Sequence, residues 1–350
     1  MENSLSLEEK LLLAALKGNV PAVPENINWA EFLKLSRKAR VSPFVYYQWK
    51  KVNFPFCPPP EIFDAFEKDF YETFSRNILI QKLTKKVFNR IKKNIEIIPL
   101  KGVVFMEKFY PHLGTRPLSD IDFLIKSDDY EKLKKILNDS QGKLLVRKPY
   151  AAVFTLSNPI KINFDVAWNF LAIERFIKTC NWSDEEVWRR AKKTEVCEEN
   201  ILLLSPEDTL LHLIYHQAFQ HCFRNFLGYL DITRLINQTS IDWEFFHRVI
   251  IRLGLASVAK KELKFCKDYL GANVPLKVIS NLKENLWNQI VFRGFSELAP
   301  ENLHLSCPDL VDWLRQPFFW DRFSQIGKTF FYALFPSKNW MRAKLRKFTP

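Results

Sequence analysis

The chain has 350 residues, 47% of them hydrophobic and 15% aromatic, with 31 phenylalanines against nine glycines and a formal net charge of +13. That length supports two or three packed units, and the composition excludes a disordered polymer in favour of a helix-rich, aromatic-packed protein. The positive balance suits a polyanion (nucleic acid, an anionic membrane or a phosphorylated substrate), or else it serves solubility alone.

The opening MENSLSLEEKLLLAALKGN has an acidic start and a short apolar run. It reads as an amphipathic helix entered through a Ser6–Glu9 capping box, not as a signal peptide. Cysteines 57, 180, 197, 222, 266 and 307 show no CxxC pair and no metal-type spacing, so they read as buried thiols of a reducing compartment. No window supplies the roughly 18 apolar residues that a spanning helix needs. A cytoplasmic location is therefore expected.

Residues 5 to 50 predict two or three short helices. NFPFCPPPE (53–61) is a hard break, because proline removes donors and disfavours helix before it. From Glu61 to about Lys93 the apolar positions recur at threes and fours, which predicts one long helix. IEIIPLKG reads as a short strand running into a turn, residues 103–110 as a helix, DIDFLI as a strand and SDDYEKLKKILND as a capped helix. The segment 143–168 alternates like strands, notably KINFDVAW. From SPEDTLLHLIYHQ at 205 onward nearly everything reads as helix. The expected fold class is α+β: a small mixed-sheet core at 94–175, between an N-terminal helical region (1–93) and a C-terminal helical region (176–350).

The stretch KGVVFMEKFYPHLGTRPLSDIDFLI (101–125) poses the chemical question. In a strand, residues i and i+2 share a face, so Asp120 and Asp122 point together while Ile121 and Phe123 face away. Two carboxylates this close repel unless cations sit between them. A divalent metal removes that penalty, and magnesium favours one or two carboxylates with phosphate oxygens and water. Asp165 sits in a second strand with the same alternation. If the strands are adjacent, three carboxylates converge, a ligand set for two metals clamping an in-line phosphoryl displacement. PLKG (99–102) ends a strand and opens a helix, presenting backbone donors at Gly102, and Lys101, Arg116 and Ser119 are further expected contacts for triphosphate oxygens. A DxD alone is a weak signal. The order raises it: lysine–glycine, helix, arginine, DxD strand, then a third strand aspartate.

The run LKGVVFMEKFYPHLGTRPLSDIDFLIKSDDYEKLKKIL resembles the core of the nucleotidyltransferase superfamily with the polymerase β-like fold. More narrowly it is similar to the bacterial group labelled uncharacterised nucleotidyltransferases. The resemblance continues through FDVAW, LSPEDTLLHLIYHQAFQH, LDITRLI and DWEFF, covering about residues 70 to 275, with a weaker match at LFPSKNWMRAKLR. It implies that Asp120, Asp122 and Asp165 hold Mg²⁺ or Mn²⁺, that a nucleoside triphosphate is co-substrate, and that Asp165 acts as, or orients, the base. Lys101–Gly102 stands where the superfamily has a glycine–serine or glycine–glycine pair, so the phosphate contact is expected from Lys101 and not from a hydroxyl. His216 with Asp231 resembles a family pair placed at the substrate.

Other features have plainer readings. His212, His216 and His221 suggest zinc, but the glutamate of an HExxH motif is missing, and packing or substrate contact is favoured. Glu207 and Asp208 are first-turn acids complementing a helix dipole. Lys338, Arg342, Lys344, Arg346 and Lys347, beside aromatics from Phe318 to Phe335, suit RNA or an anionic membrane surface, or are a solvated helix end. The resulting expectation is a metal-dependent nucleotidyltransferase acting on RNA, a protein or peptide, or a small molecule. Its rivals are a DxD glycosyltransferase, a toxin-like enzyme modifying tRNA or a protein, and a non-catalytic RNA- or membrane-surface-binding protein with a vestigial site.

Overall fold

The computed structural model describes residues 5–19, 26–53, 58–180, 182–292 and 314–335. Cys57, Cys307 and the basic tail from Lys338 lie outside these residues. Three short helices open the chain: α1 (Leu7–Leu16), α2 (Trp29–Lys38) and α3 (Ser42–Lys51). The capping box of α1 is present, Ser6 Oγ accepting from Glu9 N while Glu9 accepts from Ser6 N. The 32-residue helix α4 (Pro60–Ile91) starts on Pro60, whose missing N–H costs nothing in a first turn.

The α/β unit follows: β1 (Ile98–Leu100), α5 (Gly102–Lys108), β2 (Asp120–Leu124), α6 (Tyr130–Asp139), β3 (Lys143–Arg147), β4 (Ala151–Leu156) and β5 (Ile162–Ala167). They build one mixed sheet in the order β1-β2-β5-β4-β3, in which β2 and β5 are parallel and every other pair is antiparallel. The architecture is α+β, as the alternation of patterns predicts. SDDYEKLKKILND does form a helix, but no side chain caps it.

Past the sheet come α7 (Glu174–Ile177), α8 (Asp184–Arg190) and a hairpin of β6 (Lys192–Val196) and β7 (Glu199–Leu203). Sequence reading gives no hint of this hairpin. Its turn is Cys197–Glu198, both at positive φ, where Asn-Gly or Asp-Gly would be the usual signal. The remaining α-helices among the described residues are α9 (Pro206–Phe219), α10 (Phe226–Gln238), α11 (Trp243–Leu253), α12 (Ala256–Leu270), α13 (Leu276–Asn281), α14 (Leu286–Phe292) and α15 (Phe323–Leu334). No helix among the described residues is long and apolar enough to cross a membrane.

Two cores result. One joins α1–α3 and the first half of α4 to α9–α12. The other packs Ile80, Leu83, Val87, Phe88 and Ile91 of α4 against Ile121, Phe123, Phe164 and Val166 of the sheet, with Leu133 and Leu137 of α6. Burial alternates along β2 and β5, and the half-buried positions carry the aspartates. One face of the sheet is thus core and the other is left for polar groups. The four described cysteines, 180, 197, 222 and 266, are buried thiols. Of the aromatics before the basic tail, Phe319 and Trp320 are fully buried, whereas Phe323, Phe331 and Phe335 are exposed.

Candidate active site

Parallel pairing of β2 with β5 sets Asp122 directly opposite Asp165, two residue pairs along from Asp120 and Asn163. Because the side-chain period in a strand is two, all three carboxylates leave the same face of the sheet. Each offers one oxygen, and these oxygens lie within 4.8 Å of one another. Three acids in that space repel. Burial first, and then Asp120 and Asp165, push the Asp122 carboxyl up to about 7 against the opposing pull of Lys101. Asp165 is raised as well, by burial and then by Asp120. Carboxylates so close and so poorly hydrated are a donor set suited to a hard divalent cation, so the residues present fit Mg²⁺ or Mn²⁺.

Lys101 is the group that partly balances them. It occupies the turn from β1 into α5 with φ +47° and ψ −122°, a conformation in which glycine is the usual residue. Its Nζ lies 3.0 Å from Asp122 Oδ1 and 2.8 Å from His216 Nε2. An ammonium only donates, so Nε2 accepts and the ring keeps its proton on Nδ1. Burial, followed by the charge of Lys101, holds His216 well below the ordinary histidine range. The same causes bring His212 down to about 3 and His221 down to about 4. At neutral pH the three histidines are uncharged. They follow one another in a row, His212 stacked on His216 at 6.0 Å and His216 edge-on to His221 at 4.5 Å between centroids. None joins a cluster of three potential metal ligands among the described residues.

The expected phosphate contacts are redistributed. Gly102 is fixed by close approach: a Cβ there would stand 3.0 Å from Leu118 Cδ2 and 3.4 Å from Arg116 Nη1. Helix α5 has only seven residues, so the electrostatic weight falls on side chains. Arg116 does not reach freely into solvent. Its Nε and Nη2 donate to the two oxygens of Asp231 at 2.9 and 2.6 Å, in the buried wall of the cavity. Burial opposes the charge on Arg116, but the Asp231 carboxylate outweighs it and keeps the pKa above the ordinary arginine value. Asp231 also accepts from Tyr110 Oη at 2.9 Å. His216 and Asp231 line the same cavity without bonding to each other, one serving Lys101 and the other Arg116. The Ser119 hydroxyl donates to Asp120 Oδ1 at 2.9 Å.

These groups line a cavity of about 350 Å³, closed on its far side by α9, α10 and the turn between α2 and α3. A second cavity of about 360 Å³ opens on the other side of Asp122 and Asp165, between β4, β5 and Phe170, Ile173 and Phe219. Sequence reasoning missed Arg40, Gln220 and Arg224 of the first cavity. They come from turns far from the DxD in sequence, and no pattern in the chain marks them.

A family model described as "Uncharacterised nucleotidyltransferase" matches residues 25–271. The chain belongs to this family. The match starts well before the sheet, and so takes in α2, α3 and α4 as well as the DxD strand. No curated protein gives a significant match. Among solved structures the chain is similar to an antigenic nucleotidyltransferase-like protein from Paracoccidioides brasiliensis, at 12% identity and a TM-score of 0.37, covering 57% of this chain and 96% of that one.

Proposed function

We propose that this nucleotidyltransferase-family protein moves a nucleoside monophosphate from a nucleoside triphosphate to an acceptor oxygen. The observation that carries the reading is the convergence of Asp120, Asp122 and Asp165 from neighbouring parallel strands within 4.8 Å of one another. Those three residues would hold Mg²⁺ or Mn²⁺, which when bound supplies Lewis-acid charge neutralisation at phosphate oxygens.

In the reaction an acceptor lone pair forms a bond to the α-phosphorus. The bond from that phosphorus to the α–β bridging oxygen breaks, and pyrophosphate leaves with the electron pair. The acceptor proton passes to a basic carboxylate oxygen, a role given to Asp165, which lines both cavities while Asp122 is engaged by Lys101. Lys101, fixed between Asp122 and His216, stabilises the negative charge that develops, together with the Gly102 backbone. Positioning and electrostatics account for the rate, and no covalent enzyme intermediate is needed. The C-terminal helical region, whose helix α9 lines both cavities, selects the acceptor. RNA, a protein or peptide, and a small molecule are the classes this leaves, and the tail after α15 adds a contact for RNA or an anionic membrane surface.

One observation favours a second reading. Lys101 Nζ already lies on Asp122, as it would in a nucleotide-binding protein whose lysine has taken over a cation's place. Incubation with each α-labelled nucleoside triphosphate, Mg²⁺ or Mn²⁺, and a cell extract decides the matter. Transfer predicts label in one acceptor fraction with release of pyrophosphate. Release of a nucleoside diphosphate would indicate glycosyl transfer instead. No label in any fraction, with no Mn²⁺ uptake by calorimetry, sinks the transfer reading.

A further inference from the structure

Between α2 and α3 the chain turns through Arg40, which adopts φ +59°. A side chain is seldom placed in that left-handed region, and glycine or asparagine is its usual occupant. The turn is clamped on both sides. Ala39 and Val41 are buried, Val41 N donates to Ser36 O at 2.9 Å, and Arg40 N donates to Arg37 O at 2.9 Å. The outcome is that Arg40 lines the same cavity as Asp120 and Asp122.

Arg40 differs from its basic neighbours in its partners. Arg37, three residues earlier, lies 2.8 Å from Asp69, and Arg116 grips Asp231 with two bonds. No described carboxylate comes within ion-pairing distance of Arg40. It feels Asp120 and Asp231 only from a distance, and both burial and the charge of Arg116 weigh against its own charge. A partly buried guanidinium beside a second arginine, lining a cavity with no carboxylate in ion-pairing distance, is suited to receive an anionic ligand. The cavity floor carries three acids that repel a simple anion. The fitting ligand is therefore one with its negative charge extended away from them, a polyphosphate chain. Guanidinium suits that ligand because its planar fork meets two phosphate oxygens at once.

We infer that Arg40, brought from the N-terminal helices, is a phosphate-binding residue of this cavity and holds the distal phosphates of a nucleoside triphosphate. The identity of the nucleotide as substrate rests on the transfer reading above; the affinity for a polyphosphate does not. The N-terminal helices are thereby part of the site and not merely a support for it.

Calorimetry with inorganic tripolyphosphate and, separately, with a nucleoside monophosphate tests this on the full chain. Arg40→Gly removes the side chain while suiting the left-handed backbone, and Arg40→Lys keeps the charge without the fork. The expected result is at least a tenfold loss of tripolyphosphate affinity in Arg40→Gly and a smaller loss in Arg40→Lys. Monophosphate affinity should stay within twofold in both. Equal tripolyphosphate affinity in Arg40→Gly and wild type, equal loss of both ligands, or no tripolyphosphate binding by wild type would each overturn the inference. If wild type transfers label from a nucleoside triphosphate but Arg40→Gly binds tripolyphosphate normally, the inference alone fails. If Arg40 governs tripolyphosphate binding and no label is ever transferred, the transfer reading alone fails.

Discussion

Arg116 and Asp231, 115 residues apart in sequence, meet in a two-bond ion pair in the cavity wall, and both are almost wholly buried. The pair ties the approach to the DxD strand to α10. Tyr110 Oη and the Asn77 amide, which donates to the Arg116 carbonyl at 2.8 Å, complete the joint. Breaking such a pair from one side strands the other charge. Arg116→Ala or Asp231→Ala should therefore lower unfolding stability by ~3–5 kcal/mol, measured by urea denaturation. Arg116→Lys should rescue little of it, because one ammonium cannot repeat the fork. A loss under about 1 kcal/mol in both alanine variants, the range of a surface pair, would refute this assignment.

Lys101 predicts a separation of stability from activity. Lys101→Gly relaxes a left-handed backbone and removes the ammonium that touches Asp122 and His216. Its melting temperature should stay near that of wild type, while label transfer falls by about 10²–10³-fold, the scale of losing one aligned charge-stabilising donor. Transfer within threefold of wild type would remove Lys101 from the site.

Asp122→Asn keeps the shape of the side chain and deletes a repelling buried charge. The variant should fold with a denaturation midpoint at or above that of wild type. Mn²⁺ uptake, read by calorimetry, and label transfer should both drop to background. Retention of wild-type transfer would show that the metal-dependent step lies elsewhere.

The acid cluster also sets a pH dependence. Asp122 titrates near 7 in the folded chain, above its unfolded value, and Asp165 is displaced in the same direction. The folded state then holds protons that the unfolded chain has released. In metal-free buffer, stability should be greatest below about pH 4 as far as this cluster is concerned. It should decline as pH rises toward 7 and level off above it. The two groups titrate together, so the curve belongs to the cluster and not to one residue. Denaturant midpoints from pH 5 to 8 should fall in wild type and fall less in Asp122→Asn. Added Mn²⁺ should reverse the slope, since a metal competes with those protons.

The sheet was legible because strand and helix periods differ and the acids interrupt an apolar strand at spacing two. That pattern alone placed Asp120 and Asp122 on one face. The pairing of Asp165 with Asp122 was only conditional in the sequence, since register between strands 43 positions apart is fixed by the intervening α6, β3 and β4. The engagement of Arg116 by Asp231 and the arrival of Arg40 were not legible. Both depend on how helices from opposite ends of the chain pack together, and no local spacing encodes that. The β6–β7 hairpin escaped because a Cys–Glu turn lacks the residues that announce one.

Helix α4 has a last implication. At about 1.5 Å per residue its 32 residues form a rod ~48 Å long, and its two halves belong to different cores. A chain cut at residue 94 would strip the sheet of five apolar side chains and the Arg116 carbonyl of its Asn77 donor. The α/β unit is thus not a detachable module, and grafting it between relatives requires carrying the rod along with it.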